Sequence, residues 1–194
     1  GIGKRLCNYT KYNNKTLVRV GNKFTICYII DKYPSNSEFI ITLGYYGDLV
    51  REFLEIAYPK HNFKWVYIDK YIGEGSSLGY SLLQTKESIN APFIYHCCDC
   101  IFLDEIDINE FRDNTMFAWC GVKNSHNSNN FSSINVQYEN IYKINDKGAD
   151  HYDYYYIGVA YIKNYNEFFR ILEKLVNGKY MDQSLSDIHV HRQF

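Results

Sequence analysis

The sequence predicts an α/β protein, a sheet with helices packed on it. Two observations carry this. Short apolar runs of strand length alternate with stretches whose apolar residues recur at helical spacing. The chain, 194 residues at 46% hydrophobic and 22% charged with only 3 Pro, also suits one domain spanning 1–194 with a single sizeable core.

The elements follow in order. Phe39-Ile40-Ile41-Thr42-Leu43 is a buried-strand run closed by Gly44. Residues 48–58 place Leu49, Val50, Phe53, Leu54 and Ala57 at helical spacing, and Pro59 stops the helix. Residues 63–68 form a second strand, with Phe63, Trp65 and Tyr67 alternating. The glycine-rich loop Gly73-Glu74-Gly75 leads to a helix over 77–87. A third strand, 93–98, enters after Pro92, and a fourth covers 116–122. The Asn- and Ser-rich stretch 123–133 reads as a loop. Residues 135–144 and 154–162 read as strands. A helix over 166–176 turns Phe168, Phe169, Leu172, Leu175 and Val176 inward. No internal repeat is present.

Composition excludes several function classes. A formal net charge of −1 gives no general basic field for nucleic acid. No apolar run approaches the roughly 20 residues that cross a bilayer, and no apolar segment of a secretory signal follows the opening Gly1-Ile2-Gly3-Lys4-Arg5. The 6 Cys include adjacent Cys97 and Cys98 with Cys100 nearby, while Cys7, Cys27 and Cys120 stand in apolar or loop contexts. Reduced thiols and a cytoplasmic location are expected. The abundance of Tyr (20) and Phe (12) beside Asn, Lys and Ile reads as coding bias.

Five segments can carry chemistry. In Gly1-Ile2-Gly3-Lys4-Arg5-Leu6, two glycines let the backbone approach a triphosphate, and Lys4 and Arg5 supply cations for charge developing on pyrophosphate. A frayed basic end is the plainer alternative. Lys15, in Asn14-Lys15-Thr16-Leu17-Val18, returns a point charge to the same phosphates if Leu17 and Val18 anchor it on a packed strand. Otherwise it is a solvated surface lysine. Asp99 follows an apolar strand, where ligands of open α/β sheets collect, and suits magnesium held against phosphates, or a turn cap.

In Gly73-Glu74-Gly75-Ser76-Ser77-Leu78-Gly79, Gly75, Ser76 and Ser77 can lie against a flat base, or Ser76 or Ser77 caps the next helix. Lys147, in Asp146-Lys147-Gly148, is placed to meet an acceptor phosphate, or serves a turn. The thiols flanking Asp99 lack a second pair at zinc spacing. His96, His151, His189 and His191 make no ligand set.

The order of these segments resembles the sugar-phosphate nucleotidyltransferase family. The carriers are Gly-x-Gly-x-Arg-Leu, a lysine before Leu17-Val18 with Val20-Gly21-Asn22-Lys23 behind it, and Ile40-Ile41-Thr42-Leu43-Gly44-Tyr45 ahead of an amphipathic helix. The small-residue loop, Pro92-Phe93-Ile94 running to Asp99, Asp146-Lys147-Gly148 and Tyr156-Ile157-Gly158-Val159 complete the series.

The resemblance implies a Rossmann-like three-layer sandwich of the glycosyltransferase-A type with a mostly parallel mixed central sheet. It implies magnesium-dependent transfer of a nucleoside monophosphate unit from a nucleoside triphosphate to a small phosphorylated acceptor, a sugar 1-phosphate or phosphocholine-like. Pyrophosphate leaves, and the product feeds cell-surface polysaccharide. In the roles so implied, Arg5 stabilises pyrophosphate, Lys15 serves the α-phosphate, Gly1, Gly3 and Lys4 cradle phosphates, the 73–79 loop holds the base, Asp99 holds magnesium, and Lys147 meets the acceptor. No membrane partner is implied, and a homo-oligomer is left open.

Three departures stand out. The family's first strand and small-residue step precede this loop, whereas here the sequence opens inside the motif. Asn14 replaces the family's usual Pro before the lysine. The second metal-binding Asp of the family's Trp-x-Asp-x-Gly segment has no counterpart, although Ser186-Asp187-Ile188 and 189–194 look like the approach to it. A partial domain is therefore expected. Two further functions are carried: a glycosyltransferase consuming a nucleotide sugar, whose metal motif would offer two acids where this chain has Cys97 and Cys98, and a catalytically silent nucleotide-binding domain.

Overall fold

The structure is a computed structural model and describes residues 2–102, 107, 111, 113–119, 129 and 131–178. The chain forms two compact units, Gly1–Asn90 with Cys98–Ile108, and Ala91–Cys97 with Asn109–Phe194. Neither is continuous in sequence.

The first unit opens with a 3-10 segment, Lys4–Thr10, and a second, Lys15–Leu17. A two-residue antiparallel pair, β1 (Arg19–Val20) and β2 (Lys23–Phe24), turns into helix α1 (Thr25–Ile30). Then come β3 (Glu38–Leu43), helix α2 (Gly47–Ala57) and β4 (Asn62–Tyr67), with β3 and β4 parallel in unbroken register from Glu38↔Asn62 to Leu43↔Tyr67. Joining parallel strands requires a long crossover, and α2 is that crossover. Its inward face supplies Val50 and Leu54, which are buried with Leu43, Leu17, Ile26, Cys27 and Ile30. Pro59 lies just past its end, as the sequence indicates.

Helix α3 (Leu78–Leu83) is shorter than the expected 77–87. Thr85 explains the early stop: its backbone N–H and its hydroxyl both donate to the Leu82 carbonyl, at 3.0 and 2.7 Å. Such local back-bonding competes with the helical ladder, and the chain continues as a 3-10 turn, Lys86–Ser88.

The second unit is a five-stranded sheet of β5 (Phe93–His96), β6 (Thr115–Trp119), β7 (Ser133–Gln137), β8 (Asn140–Asn145) and β9 (Tyr154–Ile162), with helix α4 (Tyr165–Val176) after it. Strand β9 is its axis. Tyr161 pairs with both Ile94 and Thr115, and Tyr155 with both Trp119 and Ser133, so β6 runs along one edge while β5 and β7 share the other. Phe168 and Leu172 of α4 are fully buried, and Phe93 of β5 stacks on Phe169 at 6.0 Å and meets Phe168 edge-on at 5.7 Å. Ile171 is buried in place of the expected Val176, which is half-buried.

Two expectations are corrected. Every strand pairing in the second unit is antiparallel, so among the described strands only β3 and β4 are parallel, and a mostly parallel central sheet is not seen. The reason is connectivity: only β3 and β4 are joined through a helix and paired directly, whereas β7 and β8 are joined by a tight reversal. That reversal also splits the strand expected over 135–144. Tyr138 and Glu139 both take positive φ (48° and 62°), the geometry of a primed two-residue hairpin turn. Glycine or asparagine normally announces such a turn, and neither occupies those positions. Of the fourth strand's span 116–122, residues 120–122 lie outside the described residues, as does most of the 123–133 loop.

Candidate functional site

The site is built from the first unit's opening residues. Gly3 takes a left-handed conformation, φ 67°, and its carbonyl accepts from Leu6 N–H (2.8 Å) and the Thr10 hydroxyl (3.1 Å). A methyl at Gly3 would stand 2.9 Å from the Thr10 methyl and 3.2 Å from the Lys15 Cβ. The bare backbone thus lets the opening turn lie directly against Lys15.

Lys15 stands on a 3-10 turn rather than the expected strand. Asn14 starts that turn: its Oδ1 accepts from the Thr16 N–H at 3.0 Å, and its Nδ2 donates to the Tyr45 carbonyl at 2.6 Å. Tyr45 lies two residues beyond β3, so the lysine turn is tied to the carboxyl end of the parallel pair, where ligands of α/β sheets gather. Thr16 and Leu17 are buried beneath, while the Lys15 side chain remains 22% exposed and ends 2.9 Å from Asp99 Oδ2. Burial opposes the charged form of Lys15, but the Cys98 sulfur and the Asp99 carboxylate outweigh it, and the pKa is raised above the ordinary lysine value. The ammonium is held charged.

Asp99 belongs to the same unit and its side chain is 55% exposed. Magnesium prefers oxygen donors and is commonly held by one or two carboxylates, with phosphates and water completing its shell. An exposed carboxylate beside a lysine fits that mode, whereas the Cys98 and Cys100 thiols next to it are soft donors suited to other metals. Among the described residues, no three or more His, Cys, Asp and Glu cluster to hold a metal alone.

The structure therefore joins Gly3, Lys15 and Asp99. Lys4 and Arg5 are exposed on the 3-10 segment that Gly3 begins. Gly75 (φ 79°) lies in the exposed loop after β4, and that loop is held close to β3 because Gly44 lacks a side chain: a methyl there would meet Tyr71 Cβ at 2.9 Å. Ser76 Oγ donates to the Gly73 carbonyl (2.6 Å), and Ser77 Oγ accepts from the Tyr80 N–H (2.9 Å), capping α3. Lys147 is exposed in a turn after β8, in the second unit. Gly1, Cys120, Asp187, His189 and His191 lie outside the described residues.

Sequence reasoning missed two participants. Asn14 is one, although an Asn opening a turn is a recognisable cap signal. Cys98 is the other; nothing in the sequence indicates that it helps keep Lys15 charged. The glycine of Tyr156-Ile157-Gly158-Val159 also acquires a reason. Gly158 takes φ 79°, and a methyl on it would overlap the Cys97 sulfur at 2.6 Å, while Cys97 N–H donates to the Gly158 carbonyl at 2.9 Å.

No protein-family model matches the chain, and no curated protein matches it by sequence. Solved structures do. A UDP-glucose pyrophosphorylase complexed with UDP-glucose superposes with TM-score 0.71 at 17% identity, over 90% of this chain and 76% of its own. The CTP:phosphocholine cytidylyltransferase of Streptococcus pneumoniae gives 0.67 at 24% identity, covering 94% and 77%. A putative glucose-1-phosphate thymidylyltransferase of Bacillus anthracis, in complex with a sucrose, gives 0.70 at 20%, covering 94% and 72%. The fold is that of the sugar-phosphate nucleotidyltransferases. At these identities the likeness establishes the nucleotidyltransferase fold, in agreement with the resemblance read from the motif order. No helix among the described residues is long and apolar enough to cross a membrane.

Proposed function

We propose that the chain is a nucleotidyltransferase domain that moves a nucleoside monophosphate unit from a nucleoside triphosphate to a small phosphorylated acceptor. The observation that carries this reading is the Lys15–Asp99 pair, 2.9 Å apart, with the Gly3 backbone against Lys15. An acceptor phosphate oxygen attacks the α-phosphorus in line. The new O–P bond forms as the bond to the bridging α,β-oxygen breaks, and pyrophosphate leaves with that electron pair. Such transfers ask for positioning and charge neutralisation rather than covalent help.

In this reading Lys15 lies beside the α-phosphate, where an incoming phosphate competes with Asp99 for its ammonium. Arg5 and Lys4, exposed beyond the Gly3 turn, neutralise the leaving pyrophosphate, and Gly1 and Gly3 bring backbone close to the phosphates. The exposed 73–77 backbone, including Gly75, Ser76 and Ser77, receives the base, and Lys147 meets the acceptor phosphate. Asp99 would hold magnesium, which when bound supplies charge neutralisation on the phosphates. The acceptor is a sugar 1-phosphate or a phosphocholine-like metabolite, and the product serves cell-surface polysaccharide synthesis. In this reading residues 1–194 act as one catalytic domain.

The test is an incubation with each triphosphate, magnesium and a panel of phosphorylated acceptors, reading pyrophosphate. Acceptor-dependent release that Arg5→Ala and Asp99→Ala abolish supports the proposal. Turnover of nucleotide sugars without pyrophosphate assigns a glycosyltransferase instead, and triphosphate binding without turnover assigns a silent domain.

A further inference from the structure

Lys15 is held by one side chain that no functional motif accounts for. Asn14 uses both ends of its amide: Oδ1 accepts from the Thr16 N–H and hydroxyl, each at 3.0 Å, and Nδ2 donates to the Tyr45 carbonyl at 2.6 Å. The Tyr45 hydroxyl donates back to the Lys11 carbonyl at 3.1 Å, which makes a two-way clasp between the lysine turn and the residues after β3. Thr25 closes the far side, its hydroxyl donating to the Thr16 carbonyl at 2.8 Å. The Asn14 backbone, φ −76° and ψ 143°, is one that proline also adopts. A proline there would fix φ, but it would lose the Asn14 N–H bond to Asn13 Oδ1 (2.9 Å) and the tie to Tyr45.

We propose that Asn14 is a positioning residue. By locking the turn that carries Lys15 to the carboxyl end of β3, it sets the lysine's reach into the phosphate site. The proposal rests on the nucleotidyl-transfer reading of Lys15. Asn14 touches no reacting atom; its effect passes through Lys15 alone. It should therefore act on the rate of the step Lys15 assists and leave acceptor binding unchanged. A lysine with a long flexible stem depends on such an anchor, because its rotamers otherwise spread the charge over many positions.

The experiment compares Asn14→Ala and Asn14→Ser, with Lys15→Ala and the Asn14→Ala/Lys15→Ala double variant, in steady-state pyrophosphate release. Asn14→Ser keeps a capping oxygen and guards against loss of folding. The expected result is a kcat reduced about tenfold or more in Asn14→Ala, an acceptor KM within about twofold of wild type, and a double variant no slower than Lys15→Ala, as coupled positions behave. A kcat equal to wild type, or a double variant slower than Lys15→Ala by the full Asn14→Ala factor, overturns it.

A second readout needs no turnover: acylation of the Lys15 amine, measured by mass spectrometry against Lys64 in the same molecule. Faster relative labelling of Lys15 in Asn14→Ala supports the anchor, and an unchanged ratio overturns it. Absence of pyrophosphate release in wild type would sink the nucleotidyl reading while this ratio still decides the role of Asn14.

Discussion

Lys15 Nζ lies 2.9 Å from Asp99 Oδ2, although 84 positions separate the two residues in sequence. The pair is open to solvent on the Asp99 side, so it contributes little to folding, on the order of 1 kcal/mol or less. In the proposed function its value lies in what it presents to a phosphate ligand: a fixed cation beside an exposed carboxylate. Exchanging the two residues, Lys15→Asp with Asp99→Lys, should therefore leave the denaturant midpoint near wild type. Turnover should fall about 10²–10³-fold, the usual cost of losing a positioned group that meets developing charge. Parallel unfolding and rate measurements check this; full activity in the exchanged protein would show that the pair's orientation is irrelevant.

In the second unit, Gly158→Ala is expected to destabilise by roughly 1–3 kcal/mol from strain at positive φ alone, with more from the overlap of its methyl and the Cys97 sulfur, 2.6 Å away. Cys97→Ala removes that sulfur. The double variant should recover part of the loss, a coupling measurable by urea denaturation of the four proteins. Strictly additive effects would contradict the proposed contact.

Asp69 and Tyr80 give a pH signature. The Tyr80 hydroxyl donates to Asp69 Oδ1 at 2.6 Å; that bond, ahead of opposing burial, lowers the Asp69 pKa and also raises that of Tyr80. A lowered carboxylate pKa stabilises above its unfolded value, about 3.9, and a raised tyrosine pKa stabilises below its own, about 10. The stability difference between wild type and Tyr80→Phe should be level between these limits. It should fall away as acid passes through the lowered Asp69 value and as alkali passes through the raised Tyr80 value. Thermal melts across pH test it, and a pH-independent difference would contradict the bond.

The sequence made some of this legible and hid the rest for physical reasons. Helix α2 and strands β3, β4 and β9 were readable because their apolar periodicity reports directly on burial. Gly3, Lys15 and Asp99 were each visible as chemical types. That they serve the same phosphates is expected from the motif order; the contacts that tie Lys15 in place are not, because they depend on a tertiary bond from Asn14 to Tyr45 and on a glycine contact without sequence periodicity. The hairpin at Tyr138 and Glu139 escaped since its positive φ values fall on residues that rarely take them. The antiparallel pairing around β9 escaped too, because apolar runs disclose burial but not direction.

Ser77 allows two of its properties to be separated. As the cap of α3, its loss in Ser77→Ala should cost about 1 kcal/mol, and Ser77→Gly only a few tenths. Nucleotide affinity should be similar in both if the loop reads the base through its backbone. Calorimetric titration with triphosphate, alongside melting, distinguishes a capping hydroxyl from one that touches the base.

The most direct test of nucleotidyl transfer follows labelled phosphorus. With triphosphate labelled at the α-position, magnesium and an accepted phosphorylated metabolite, the label should appear joined to the acceptor, and γ-label should appear in pyrophosphate. Both should appear about 10²–10³-fold more slowly in Lys15→Ala. Alpha label that stays in triphosphate, or emerges in a nucleoside diphosphate, would contradict attack at the α-phosphorus beside Lys15 and Asp99.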